Sequence, residues 1–318
     1  MRNLALICVL SALCIALVFY NVKIRQAKLD VECRKACSAC EEVSNAEKYD
    51  NAIACYTETI RLNPNCAEAY NGRASAYLHI GDCEQAIEDF NEAIRLKPNY
   101  AMAYSNRGAA YYYNGNNEQA IADYDEAIRL DPKFADVYCN RGAAYNNKGD
   151  IDRAITDYTE AIRLNPNRTG VYFNRGIVYG SKDDHDRAIA DYTEEIRLNP
   201  NFASAYYNRG NSYNRKGDYD KAIADYNEVI WLAPNNAAAY SNRGLTYANK
   251  GEYDNAIDDV ESALRIDPNL EQAREILEEV KKDLEKARKN IEETKRQNKT
   301  SGKKLEETKE QNKTSGKK

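Results

Sequence analysis

The amino-acid sequence predicts an all-α array of stacked antiparallel helix pairs, preceded by one transmembrane helix. Three observations carry this. All seven prolines (Pro64, Pro98, Pro132, Pro166, Pro200, Pro234 and Pro268) fall at intervals of 34 residues. Between successive prolines lie two apolar stripes at helical spacing. Near the start, residues 3–22 carry no charge. A fixed period in this range marks one supersecondary unit stacked many times. Such arrays have nearest-neighbour contacts and no single central core, so the length of 318 residues does not imply two ordinary domains. The hydrophobic share of 43% is enough for packing, and the net charge of −5 argues against a dedicated nucleic-acid binder.

The first element is the uncharged run, a helix of 20 residues that would span about 30 Å, the hydrocarbon thickness of a bilayer. A cleaved signal peptide and a retained anchor compete for it. Phe19, Tyr20 and Asn21 stand where a small-residue cleavage site would follow, so residues 1–22 are read as an anchor and 23–32 as a linker. The expected location is a single-pass membrane protein. The Lys23, Arg25 and Lys28 flank leans toward a cytoplasmic array, while an uncleaved export signal would place it outside.

Seven units follow over residues 33–270, each ending two residues after its proline. In the third, Tyr104, Gly108 and Tyr111 share one helical stripe, and Ala120, Tyr124 and Ala127 share another. The Gly115 region separates the two helices, and Pro132 stops the second. Residues 271–297 read as a charged capping helix of the kind terminal repeats need. Residues 298–318 read as a charged low-complexity tail, built on two near copies of a 14-residue segment.

These columns closely resemble the tetratricopeptide repeat family over residues 33–270. The first aromatic of that family is matched by Tyr70, Tyr104, Tyr138, Tyr172, Tyr206 and Tyr240. Its small residue is matched by Ala74, Gly108, Gly142, Gly176, Gly210 and Gly244, and its second-helix alanine by Ala52, Ala86, Ala120, Ala154, Ala188, Ala222 and Ala256. The resemblance implies a right-handed superhelical solenoid whose first helices line a concave face. The first unit departs, with Ala36 and Val43 in the aromatic slots, and the fifth has Asp183 for the inter-helix glycine.

One column is unusual for the family: Arg73, Arg107, Arg141, Arg175, Arg209 and Arg243. A matching acidic column, Asp89, Asp123, Asp157, Asp191, Asp225 and Asp259, stands 16 residues on. Both charges are missing together from the first unit, where Ala39 and Cys55 stand, so an Arg–Asp bridge within each unit is expected.

Opposite the packed stripe of the first helices lie slots that should form the groove floor. One of them reads Asn106, Asn140, Asn174, Asn208 and Asn242. A carboxamide can bond both N–H and C=O of an extended peptide. Some family members hold peptides with a similar asparagine ladder, and the resemblance implies the same here. Neighbouring slots vary and include Tyr113, Asn147, Asn211 and Arg215. A duplicated solvated asparagine is the bland alternative.

The nine cysteines follow no comb and read as small buried side chains of a reducing compartment, not as a disulfide framework. Cys33, Cys37 and Cys40 leave open a remote Fe–S or redox reading. His79 and His185 lie in different units, and no catalytic arrangement is found. The expectation is therefore a non-catalytic, membrane-anchored protein–protein interaction scaffold. It would bind an extended peptide segment of a partner protein, and no cofactor, metal, nucleic acid or small-molecule substrate is expected. The alternative is a structural or assembly factor that uses its convex face or cap.

Overall fold

The protein is represented by a computed structural model that describes residues 31–33, 35–38 and 48–315. Among the described residues there are helices and no strand. Two compact units divide at Val171/Tyr172. The first holds helical residues 31–33 and 35–38, then α1 (Lys48–Leu62), α2 (Ala67–His79), α3 (Cys83–Leu96), α4 (Ala101–Tyr113), α5 (Asn117–Leu130), α6 (Ala135–Asn147) and α7 (Ile151–Leu164). α8 (Val171–Ser181) opens the second. It continues with α9 (His185–Leu198), α10 (Ala203–Lys216), α11 (Tyr219–Leu232), α12 (Ala237–Lys250), α13 (Tyr253–Ile266) and α14 (Glu271–Ser315). Within the first unit α1–α7, and within the second α9–α14, each pack on their chain neighbours.

The turns explain why helices begin and end where they do. Asp82, Asp150 and Asp184 cap α3, α7 and α9 by accepting from the backbone N–H of Gln85, Arg153 and Arg187 at 3.1, 3.3 and 3.2 Å. The residue between paired helices adopts positive φ, supplied by glycine at 81, 115, 149, 217 and 251. In the fifth repeat Asp183 takes that place at φ 58°. An L side chain in this left-handed region costs about 1–2 kcal/mol. Asp183→Gly is therefore expected to raise stability by about 1 kcal/mol, read as an upward shift of the thermal melt; an unchanged or lowered melt would contradict the strain.

Packing within a repeat rests on a ring seated against a glycine. Tyr124, Tyr158, Tyr192 and Tyr226 from the second helices are all buried. A Cβ built on Gly108, Gly142, Gly176 or Gly210 would meet the same four rings at 2.7, 3.1, 2.7 and 3.0 Å. Only a residue without a side chain lets the two backbones close on the ring. Burial pushes all four phenols above their ordinary value. Unfolded tyrosine loses its proton near pH 10, about where a free phenol titrates. The folded rings hold theirs to higher pH, so this contribution is complete below about pH 10 and is lost as pH rises above it. Helicity and the phenolate absorbance of these rings should therefore change together in an alkaline titration. Ionisation ahead of helix loss would contradict their burial.

The expected Arg–Asp bridges form in all six repeats. Each arginine donates Nε and Nη2 to the two carboxylate oxygens at 2.6–2.8 Å. Such bidentate pairs add geometry as well as energy. Nη1 makes a contact the sequence reading lacked. It reaches back to the preceding repeat, to Thr57 (3.1 Å), Asn91 (2.6 Å), Asp125 (2.5 Å), Thr193 (3.0 Å) and Asn227 (2.5 Å) for Arg73, Arg107, Arg141, Arg209 and Arg243. One side chain thus closes its own repeat and pins it to the previous one. Burial alone would push the guanidiniums of Arg107, Arg141, Arg175 and Arg209 down, but their carboxylate partners more than offset it and hold them above the ordinary value.

α14 caps the second unit through Ala273, Ile276 and Val280, which bury against Ala256, Val260 and Ala263. The helix expected to end near residue 297 continues to Ser315. No proline interrupts it, and Gly302 is the sole glycine in it. The expected membrane location requires correction. Residues 1–22, read as the anchor, lie outside the described residues. No helix among the described residues is long and apolar enough to cross a membrane. α14 has the length, at 45 residues, but carries charge along its whole course.

Candidate functional site

The asparagine column lies on the first helices of the repeats. Asn106, Asn140, Asn174, Asn208 and Asn242 are all half-buried rather than fully open. Their amides divide into two groups. Asn106 Nδ2 donates to Asn71 Oδ1 at 3.2 Å and lies 3.5 Å from Ser75 Oγ. Asn242 Nδ2 donates to the Tyr207 hydroxyl at 2.8 Å and to Asn211 Oδ1 at 3.0 Å. Asn140, Asn174 and Asn208 make no side-chain hydrogen bond among the described residues.

The difference follows from the residues 35 and 31 positions earlier. Asn106 finds Asn71 and Ser75 there, and Asn242 finds Tyr207 and Asn211. For Asn140, Asn174 and Asn208 the same places hold Ser105 and Ala109, Cys139 and Ala143, and Phe173 and Ile177. Five of these six have no oxygen or nitrogen in the side chain, Cys139 among them offering only a weak sulfur acceptor, and Ser105 is not engaged.

In the second unit Asn242 borders a recess of about 590 Å³. Asn211, Asn214 and Arg215 come from α10, Asn242, Leu245 and Asn249 from α12, and Gln272 from the first turn of α14. The residues beneath it are hydrogen-bonded to one another. Tyr226 Oη donates to Asn211 Oδ1 at 2.7 Å, which also accepts from Asn242. Asn249 Nδ2 lies 3.4 Å from Asn214 Oδ1. Burial pushes the Tyr207 phenol up, and its bonds with Asn211 and Asn242 pull it back. Arg215 is exposed and has no carboxylate within ion-pair distance among the described residues, unlike the six pinning arginines.

Of the residues expected at the groove, the structure thus brings Asn211, Arg215 and Asn242 to one recess. Asn174 and Asn208 belong to the same unit but do not line it. In the first unit Tyr113 is 72% exposed and edge-on to Tyr112, and Asn147 is exposed. Asn71, Tyr207, Asn214 and Gln272 were missed as site residues. The first two stand 35 residues before a column asparagine, one off the period, so aligning on the prolines hides them.

The cysteines require a second correction. Cys33 and Cys66 form a disulfide, where small unpaired side chains were expected. Their separation of 33 residues is one short of the period, so the bond joins the first residue of the first repeat to its last, the residue that caps α2. Cys37 joins them, whereas Cys40 lies outside the described residues.

Family models described as tetratricopeptide repeat or TPR repeat match residues 44–101, 108–149, 135–168, 169–202, 192–224, 210–251 and 237–270. A comparison with curated proteins finds no match. Among solved structures the chain is similar to the APC/C hetero-tetramer Cut9–Hcn1, with 22% identity, a TM-score of 0.57 and 74% of this chain covered. It spans 49% of that chain, about half its length. It is also similar to YrrB, a TPR protein with an unusual peptide-binding site. There the identity is 26%, the TM-score 0.54, and the match covers 59% of this chain and 97% of that one. The MamA protein matches with 28% identity, a TM-score of 0.51, 53% of this chain and 92% of that chain.

Proposed function

This chain belongs to the tetratricopeptide-repeat family, and from that premise we propose that it is a non-catalytic interaction scaffold that binds an extended peptide segment of a partner protein. The recess of the second unit is the observation that supports this reading. Its walls carry carboxamides on a hydrogen-bonded base, one apolar side chain, Leu245, and one cation without a carboxylate partner, Arg215. Carboxamides offer donor and acceptor together, which suits a peptide backbone. Asn174 and Asn208, and Asn140 in the first unit, keep their amides unspent for a guest. The similarity to YrrB, whose description names a peptide-binding site, points the same way.

A second reading has its own observation. Trp231 in α11 is 73% exposed, where five other repeats carry an arginine paired with the glutamate three residues earlier. That substitution leaves a large aromatic open on a second helix, away from the asparagines.

A peptide library displayed against the full chain separates the two. Joint substitution Asn208→Ala, Arg215→Ala and Asn249→Ala should weaken captured peptides at least tenfold, about 1.4 kcal/mol, with helicity unchanged. Binding that survives this variant and is lost in Trp231→Ala would reject the recess in favour of the second surface.

A further inference from the structure

We infer that Cys33, Cys37 and Cys66 form one thiol–disulfide exchange site, in which the bond to Cys66 can pass between Cys33 and Cys37. The three side chains are 5%, 7% and 2% exposed, and their sulfurs all lie within 4.8 Å of one another. Cys33 is bonded to Cys66, with 6.1 Å between the Cα atoms. Cys37 carries a thiol whose Sγ lies 4.0 Å from Cys66 Sγ. Cys33 and Cys37 both lie in helical residues and stand four apart, a spacing that presents both sulfurs to the same side. Cys66 precedes α2 and faces both.

The site occurs where the array lacks its usual fastening. The first repeat has Ala39 and Cys55 in place of the pinning arginine and aspartate, and no aromatic at Ala36 or Val43. Its core is Cys33, Cys37, Cys66, Tyr56 and small alanines. Cys55, in the aspartate's place, is itself disulfide-bonded, and the Cys33–Cys66 bond is a further covalent fastening of the first repeat. Two donors on one helix mean that either can hold the repeat closed.

The exchange needs no outside oxidant. The Cys37 thiolate attacks Cys66 Sγ, and the new Cys37–Cys66 bond forms as the Cys33–Cys66 bond breaks. The electron pair leaves on Cys33, which takes the proton that Cys37 gave up. Opening the staple altogether requires an external dithiol, which is oxidised as Cys66 and its partner are reduced.

Tryptic mapping of the full chain tests this. Cleavage at Arg34 and Lys35 separates Cys33 from Cys37, and Cys66 is the one cysteine of peptide 62–73. After limited dithiol reduction, reoxidation with glutathione disulfide and alkylation at low pH, peptide 62–73 should be found linked both to 29–34 and to 36–48. Fragment ions should place the second link on Cys37. In Cys33→Ser the link to Cys37 should remain, and deuterium uptake over residues 31–38 should stay near the wild-type level. Cys33→Ser/Cys37→Ser should leave Cys66 alkylated and raise that uptake severalfold. Finding Cys66 joined to Cys33 alone in the reoxidised wild-type chain overturns the proposal, as does Cys66 fully alkylated in Cys33→Ser. The wild-type result decides the matter even where a variant fails to fold.

Discussion

Replacing Arg141 by alanine is expected to destabilise the array by about 3–5 kcal/mol, the loss typical of breaking one member of a buried ion pair. Asp157 is the reason. Its side chain is 6% exposed, and both of its carboxylate oxygens accept from Arg141. Truncation would leave that charge buried with neither water nor a partner. The same truncation removes the bond from Nη1 to Asp125 of the preceding repeat, and the guanidinium's stacking at 5.6 and 5.8 Å from the Tyr138 and Tyr145 ring centres. Asp125 itself is 54% exposed and stays solvated, so it adds little. The double variant Arg141→Met/Asp157→Leu should recover most of the loss, because no charge is then stranded. Denaturant melts followed by helicity check both. A single variant within about 0.5 kcal/mol of wild type, the range of ordinary surface changes, would show that the pair is not the pin described.

Gly108→Ala is expected to cost about 1–3 kcal/mol, the usual penalty for overpacking. The added carbon would stand 2.7 Å from Tyr124 Cε1, and that ring is 1% exposed, so it has nowhere to retreat. The equivalent Gly142→Ala supplies the internal comparison. There the nearest ring atoms lie at 3.1 Å and the Ala154 carbonyl at 3.3 Å, so a shift of a few tenths of an ångström absorbs the methyl. Alanine also has the better helix propensity, by about 1 kcal/mol. Gly108→Ala should therefore destabilise clearly, and Gly142→Ala little. Equal melts for the two would mean that contact with the ring does not govern this column.

Much of the fold was legible because the period repeats every cause. Pro132 stops a helix for the same reason as Pro98, and the Arg–Asp pairs could be inferred because both charges vanish together in the first repeat. Contacts inside a repeat lie at a constant 16 residues, from Arg107 to Asp123 or Gly108 to Tyr124, and stand out on any alignment of the units. Contacts between repeats are harder to see. Asn106 meets Asn71 at 35 residues, one off the comb, because neighbouring hairpins are stacked with an offset. The polar character of residues 57, 91, 125, 193 and 227 was visible. Its meaning was not, since it depends on the third nitrogen of an arginine already assigned to its aspartate. At the groove, the asparagine column was found, but its division into engaged and unspent amides rests on those same offset neighbours. The length of α14 was missed because low apolar content was taken as loss of helix, although its lysines and glutamates are good helix formers.

Site-specific photo-crosslinking tests the peptide-binding claim most directly. A benzoyl-phenylalanine placed at position 249, in the recess, and separately at position 231, on the exposed face of α11, would be irradiated with a captured peptide. The account predicts covalent adducts at 249 and none above background at 231. Adducts at 231 with none at 249 would contradict it.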